Sequence, residues 1–329
     1  MAPRLLCFAA FFALGPLGGC GAEPSRADPS APLVLERTIP LAGVRGRIDH
    51  MALDEAHRRL FVAELGNGSL EAIDLASGAS LGRVGGLKEP QGVVYLPDRD
   101  EVVSAAGGDG FARFYRAADL GLLGAVAIGD DADNIRIDPR SGHVIIGYGE
   151  GALAVVDPAA RRVLARIALP GHPESFQIEG GRVFVNVPDA HRIVVADLAD
   201  GRIVASWPTR HGWNFPMIMI GDALAVAYRL PARLQVLDNR TGAVRSDIAV
   251  CGDSDDIFSD PGRRRLYVVC GSGAVDVVDM APGRLAASID TRSGARTGAW
   301  SPALDRLFVA ARAGAAGEGA ALLVFKPRS

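Results

Sequence analysis

A short apolar strand core recurs seven times along the chain: Leu60-Phe61-Val62, Val102-Val103, Val144-Ile145-Ile146, Val183-Phe184-Val185, Leu224-Ala225-Val226, Leu266-Tyr267-Val268 and Leu307-Phe308-Val309. The steps between first positions are 42, 42, 39, 41, 42 and 41 residues. A period of about 40 to 50 residues, made of strands with no helical pattern between them, is the mark of a β-propeller in which each period builds one four-stranded blade. The expected fold is therefore all-β, a seven-bladed ring in one domain. Length alone would have allowed two domains, and the repeat overrides that prior.

Each period reads alike. A glycine-rich or polar break follows the anchor strand, as in Gly66-Asn67-Gly68 or Gly271-Ser272-Gly273, and then a run that often ends in Asp (Asp74, Asp157, Asp197, Asp238, Asp279). A turn follows, with glycine where the backbone needs positive φ. Those Asp residues are read as turn caps, hence structural. The last repeat stops after Leu322-Leu323-Val324-Phe325, one strand short, while Leu33 to Leu41 resembles the outer strand of the other repeats. The N-terminal strand is therefore expected to complete the last blade, which removes the open sheet edge, and the propeller should span residues 33–327.

Ahead of it, Arg4 precedes an apolar run from Leu5 to Leu14, too short for a permanent transmembrane helix and suited to a secretory signal. It leads into Leu17-Gly18-Gly19-Cys20, which resembles the lipobox of bacterial lipoproteins. Residues 1–19 are thus expected to leave as a signal peptide, Cys20 to carry the lipid, and residues 20–32, rich in Ala, Pro and Ser, to form a flexible tether. An ordinary signal peptide with an incidental cysteine is the alternative. Gly21 rather than Asp follows Cys20, so the lipoprotein likeness implies the periplasmic face of an outer membrane, with the lipid as the contact to the bilayer. Of the remaining cysteines, Cys251 ends an outer strand before blade six and Cys270 ends the second strand of that blade. Both lie at one face, so either a disulfide in an oxidising compartment or two buried thiols fits.

Net charge of −3 comes with scattered arginines and just two lysines, Lys88 and Lys326, so there is no basic stripe and nucleic acid is disfavoured as a partner. The chemistry-bearing residues fall where the chain enters the innermost strand of each blade: Asp49-His50, Gln91-Gly92, Asp133-Asn134, Glu174-Ser175, Phe215-Pro216, Asp255-Asp256 and Arg296-Thr297. Asp130, Asp131, His172 and Asp253 extend the same loops. Glu64, Glu150, Asp189, His191, Tyr228, Arg229 and Arg312 stand in the second loops of that face. Loops on a rigid scaffold are the usual place for binding groups, so this rim is the expected site, with Arg136 one step inside it. Three readings stay open there. The groups satisfy one another and bound water; or they bind a ligand, with Arg296 and Arg136 able to hold an anion; or Asp49, His50, Asp255 and Asp256 hold a hard cation such as Ca²⁺ or Mg²⁺.

The chain has no Cys-x-x-Cys-His, Gly-x-Ser-x-Gly, His-Glu-x-x-His or glycine-rich phosphate loop. Trp207, Trp213 and Trp300 do not recur in phase, unlike the docking tryptophans of quinoprotein dehydrogenases. Arg58-Arg59-Leu60-Phe61-Val62-Ala63, Gly180-Gly181-Arg182-Val183-Phe184-Val185-Asn186 and Arg263-Arg264-Arg265-Leu266-Tyr267-Val268 resemble the Tyr-Val-Thr-Asn repeats of the YncE-like propellers. The name-giving tetrad stands here as Phe-Val-Ala-Glu from Phe61 and Tyr-Val-Val-Cys from Tyr267. That resemblance implies an exported seven-bladed propeller that binds a ligand or partner protein; the expected partner is a small polar ligand or an envelope protein, and no cofactor is expected unless the rim holds Ca²⁺ or Mg²⁺. The alternative is a metal-dependent hydrolase like the gluconolactonase propellers, using the same rim, although those have six blades.

Overall fold

The computed structural model describes residues 30–315 and 317–328. The expected signal peptide, Cys20 and the tether up to residue 29 lie outside the described residues. Seven four-stranded antiparallel sheets form the blades. In the first six the chain runs from the channel outwards. The innermost strands are Met51–Asp54, Pro90–Leu96, Ile135–Ile137, Phe176–Glu179, Gly212–Ile220, Ser254–Asp260 and Thr297–Ser301. Each touches the innermost strand of the blade before and the blade after, so the ring is closed. In the last blade Leu33–Pro40 pairs with Ala321–Pro327, Leu33 facing Pro327 and Pro40 facing Ala321, and supplies the outer strand. No helix among the described residues is long and apolar enough to cross a membrane.

The anchor strands read as continuous apolar runs because every blade is sandwiched between two others. Successive side chains of a strand point to opposite faces. In Arg59–Glu64 the side chains of Leu60 and Val62 pack with Phe308, Leu322 and Val324 of the last blade, while Phe61 and Ala63 pack with Val93, Val102 and Tyr115 of the second. A separate core cluster of this kind fills each of the seven junctions. Burying one such Leu, Val or Phe contributes about 1.5–3 kcal/mol, so a polar side chain on either face of these strands would be costly. Outer strands such as Val244–Ala249 alternate exposed and half-buried positions, since only one side chain in two meets the neighbouring blade.

The turns bear the Asp caps. Asp74 accepts the Ser77 N–H at 2.6 Å, Asp157 that of Ala159 at 2.8 Å, Asp197 that of Ala199 at 2.8 Å and Asp238 that of Thr241 at 3.0 Å. Asp279 departs from the pattern and faces Arg284 at 3.4 Å. Cys251 and Cys270 form a disulfide with Cα atoms 5.9 Å apart, tying the segment that leaves blade five to the second strand of blade six.

Candidate functional site

The entrance to each innermost strand is held by the strand behind it. In blade one the Asp49 N–H donates to Ala63 O at 2.8 Å and the Ala63 N–H to His50 O at 3.0 Å. Blade three repeats the exchange through Asp133, Asn134 and Gly147, and blade four through Glu174, Ser175 and Asn186. The same turn recurs just before. Glu89, Asp131, Trp213, Asp253 and Gly294, each two residues ahead of the first rim residue of its blade, all have positive φ, from 53° to 80°. Backbone geometry common to the blades therefore aims unlike side chains at one point.

They converge on a cavity of about 260 Å³ at the mouth of the channel. Of the ten residues expected to face a ligand, nine line it: Asp49, His50, Gln91, Asp133, Asn134, Glu174, Asp255, Asp256 and Arg296. Arg136 does not. It lines a more apolar chamber of about 310 Å³ further along the channel, beside Gln177, Phe258 and Trp300, and donates to Ile135 O at 2.7 Å. Asp131, His172, Ser175, Phe215 and Arg229 also line the upper cavity, as does Arg47. Nothing had singled out Arg47; the usable signal was its place two residues before Asp49. Of the second loops, Arg229 alone reaches the upper cavity, whereas Glu64 is buried against Arg83 at 3.2 Å.

The charges are paired unevenly. Arg47 meets Asp49 at 3.0 Å, and His50 meets Asp133 at 3.4 Å. Arg229 pairs with Asp255 and lies 3.4 Å from Asp253, and Arg296 reaches Asp253 at 3.0 Å and Asp255 at 3.9 Å. Arg229 also donates to Ser254 O at 3.0 Å and sits 3.7 Å from the centre of the Phe215 ring. Asp256 accepts the Gly298 N–H at 2.8 Å. The Glu174 carboxyl has no hydrogen-bond or ion-pair partner among the described residues, and Asn134 Oδ1 is buried without a donor.

Burial and crowding set the protonation. Burial pushes the Asp255 carboxyl up to about 6 and that of Asp256 up to about 7. Burial, reinforced by Asp133 and Asp255, pushes Glu174 up to about 8. Burial opposes charge on His50, but its bond to Asp133 and the Asp49 carboxylate outweigh that and lift it to about 10. Around neutral pH the rim thus holds an imidazolium and several carboxyls that share protons, because like charges at close range disfavour joint ionisation.

As to a cation, the rim carboxylates Asp49 and Asp255 have arginine partners. Among the described residues, Asp54, His57 and Asp100 bring ligand atoms within 4.8 Å of one another, at the other end of the first innermost strand. There Arg59 donates to Asp54 at 2.7 Å and to Asp100, so a guanidinium already occupies the middle.

No family model matches the chain, and no curated protein does. Among solved structures, a chain of Kuenenia stuttgartiensis hydrazine synthase is similar to it with a TM-score of 0.71 and 15% identity, over 83% of this chain and 94% of that one. At that identity the likeness is one of fold, and it agrees with a propeller.

Proposed function

We propose that the protein is an exported, lipid-anchored propeller that recognises a small polar ligand, or a polar group of an envelope protein, in the rim cavity. One observation carries the reading. Nine rim residues from six blades meet in a single cavity in which a buried carbonyl, Asn134 Oδ1, and the half-buried Glu174 carboxyl have no hydrogen-bond or ion-pair partner among the described residues. Buried polar atoms are nearly always satisfied, so Asn134 Oδ1 is an acceptor for something that arrives, with the open Glu174 carboxyl in the same cavity. A cavity of about 260 Å³ lies below the size of drug-like pockets, which fits a small organic ion or one side chain. The lipobox-like Leu17-Gly18-Gly19-Cys20, the likeness of the repeats to the YncE-like propellers and the disulfide support export. The rigid ring supports a binding or scaffold role, because it holds loops at fixed positions.

The test is a thermal-shift panel on the mature protein with amines, amino acids, organic acids and monosaccharides, repeated on Asn134→Ala. A class that raises the melting temperature of the wild type and does so less in the variant is the expected result. No shift from any class would remove the small-ligand reading.

A further inference from the structure

Blade five breaks the pattern of the rim. Where other blades present charged or amide side chains it has Phe215 and Pro216, and the left-handed position ahead of them is held by Trp213 at φ 61°. Equivalent turns give that position to Glu89, Asp131, Asp253 or Gly294. A bulky aromatic is a costly occupant of this region, yet here the indole is 56% exposed, so packing does not account for it. Trp213 and Phe215 stand edge to face with ring centres 6.5 Å apart. Together with His172, Glu174, Pro188 and Asp189 they line a second cavity of about 260 Å³ that shares His172, Glu174 and Phe215 with the first.

We propose that this side pocket binds an alkylammonium group, free or on a lysine side chain, against the Trp213 and Phe215 rings and the Glu174 carboxylate. The inference rests on the rim being a ligand site and names the ligand's chemistry. Aromatic faces attract cations through their quadrupole, and the Arg229 guanidinium already lies 3.7 Å from the Phe215 ring centre. Arg229 is taken up by Asp255 and Ser254 and forms no ion pair with Glu174. Of the six carboxyls that line the upper cavity, Glu174 alone has neither a hydrogen-bond nor an ion-pair partner for its side chain among the described residues, so an arriving cation meets an open carboxyl there. Aromatic walls suit an organic cation better than a hydrated metal ion, which needs oxygen ligands all round.

Butylammonium, Nα-acetyl-lysine methylamide and the neutral butanol, each titrated into the mature protein and followed by calorimetry and tryptophan fluorescence, provide the test. Saturable binding of butylammonium but not butanol is expected. Equal binding of the lysine derivative would make the natural group a side chain, and weaker binding a free amine. Glu174→Gln should weaken butylammonium roughly ten- to a hundred-fold. Trp213→Ala, at an exposed site, should weaken it without loss of fold. The pH profile separates pairing from packing. Glu174 is faced by Asp133 and Asp255, by Arg229 and His50, and by the pocket's His172 and Asp189, and its carboxyl stands near 8. Affinity should therefore rise about tenfold between pH 6 and pH 7 in the wild type and much less in Glu174→Gln, where Asp255 and Asp256 are the carboxyls left to titrate. Butanol binding as tightly as butylammonium, or unchanged affinity in both variants, would overturn the proposal. If another polar class binds with Asn134 dependence while ammonium ions do not, the rim reading stands and this one falls.

Discussion

Glu174 should cost the free protein stability, and the cost should depend on pH. Its folded carboxyl sits at about 8 against an ordinary value of 4.5. A carboxyl raised in the folded state destabilises as pH climbs from the unfolded value towards the folded one. Below about 4 both states hold the proton and nothing is lost; at pH 7 the unfolded chain has released it and the folded chain has not. Each unit is worth about 1.4 kcal/mol, so the burden is about 3 kcal/mol at pH 7 and about 1 kcal/mol at pH 5. Glu174→Gln removes the titration and adds a constant of its own, so the informative quantity is how the gap between variant and wild type changes with pH. That gap should move by about 2.5 kcal/mol in favour of the variant from pH 5 to pH 7. With about 2 cal/mol/K of unfolding entropy per residue over some 300 residues, this is a shift of about 4 °C in relative melting temperature. Differential scanning calorimetry of both proteins at the two pH values measures it. A gap that does not change with pH, or one that moves towards the wild type, would refute the burial and crowding argument for Glu174. A group that costs stability in the free state is what a binding site, rather than a structural contact, retains.

Reduction of the Cys251–Cys270 disulfide, which closes a loop of 19 residues' separation, should lower stability by about 3 kcal/mol, read from denaturant midpoints; two thiols labelled in the unreduced, denatured protein would remove it. Arg229→Met should destabilise more than Arg296→Met, by roughly 3 kcal/mol against a smaller loss, because Arg229 is the better-buried partner of Asp255. With arginines as the counter-ions, EDTA should leave the melting temperature unchanged, and a stoichiometric, chelator-sensitive metal would falsify that assignment. Cys20→Ala should move the protein from the membrane to the soluble fraction on cell fractionation.

The blades were legible because their physics is local and repeated. Apolar runs such as Val144-Ile145-Ile146 are buried on both faces, the turns after Asp74 and Asp238 are capped within a few residues, and the outer-strand pattern of Leu33–Pro40 matches its use in the last blade. The rim positions followed from counting back along the same period. What counting could not supply is who meets whom across blades. Arg229 comes from the second loop of blade five and pairs with Asp255 of blade six, a contact between residues that no spacing relates. Arg136 stands two residues after Asn134, and its short strand carries it past the upper cavity into the next chamber. Trp213 read as a tryptophan out of phase, and its meaning came from the φ value that shows which turn position it fills. The proton affinities of Asp256 and Glu174 arise from burial, which a list of residues does not contain.

The outer strand of the last blade joins the two ends of the ring. Leu33–Pro40 is the first strand of the ring to leave the ribosome, and Ala321–Pro327, its partner, is the last. Until Ala321–Pro327 has emerged, Leu33 and Ile39, both buried in the finished ring, have no sheet to join. This pairing has the greatest sequence separation in the fold, and such contacts form late. The ring therefore closes only once Ala321–Pro327 is available. A chain truncated before residue 321 would display two unpaired strand edges, the kind of surface that invites aggregation and degradation. Closure by the first strand thus makes the integrity of the span from Leu33 to Pro327 a condition for a sealed ring.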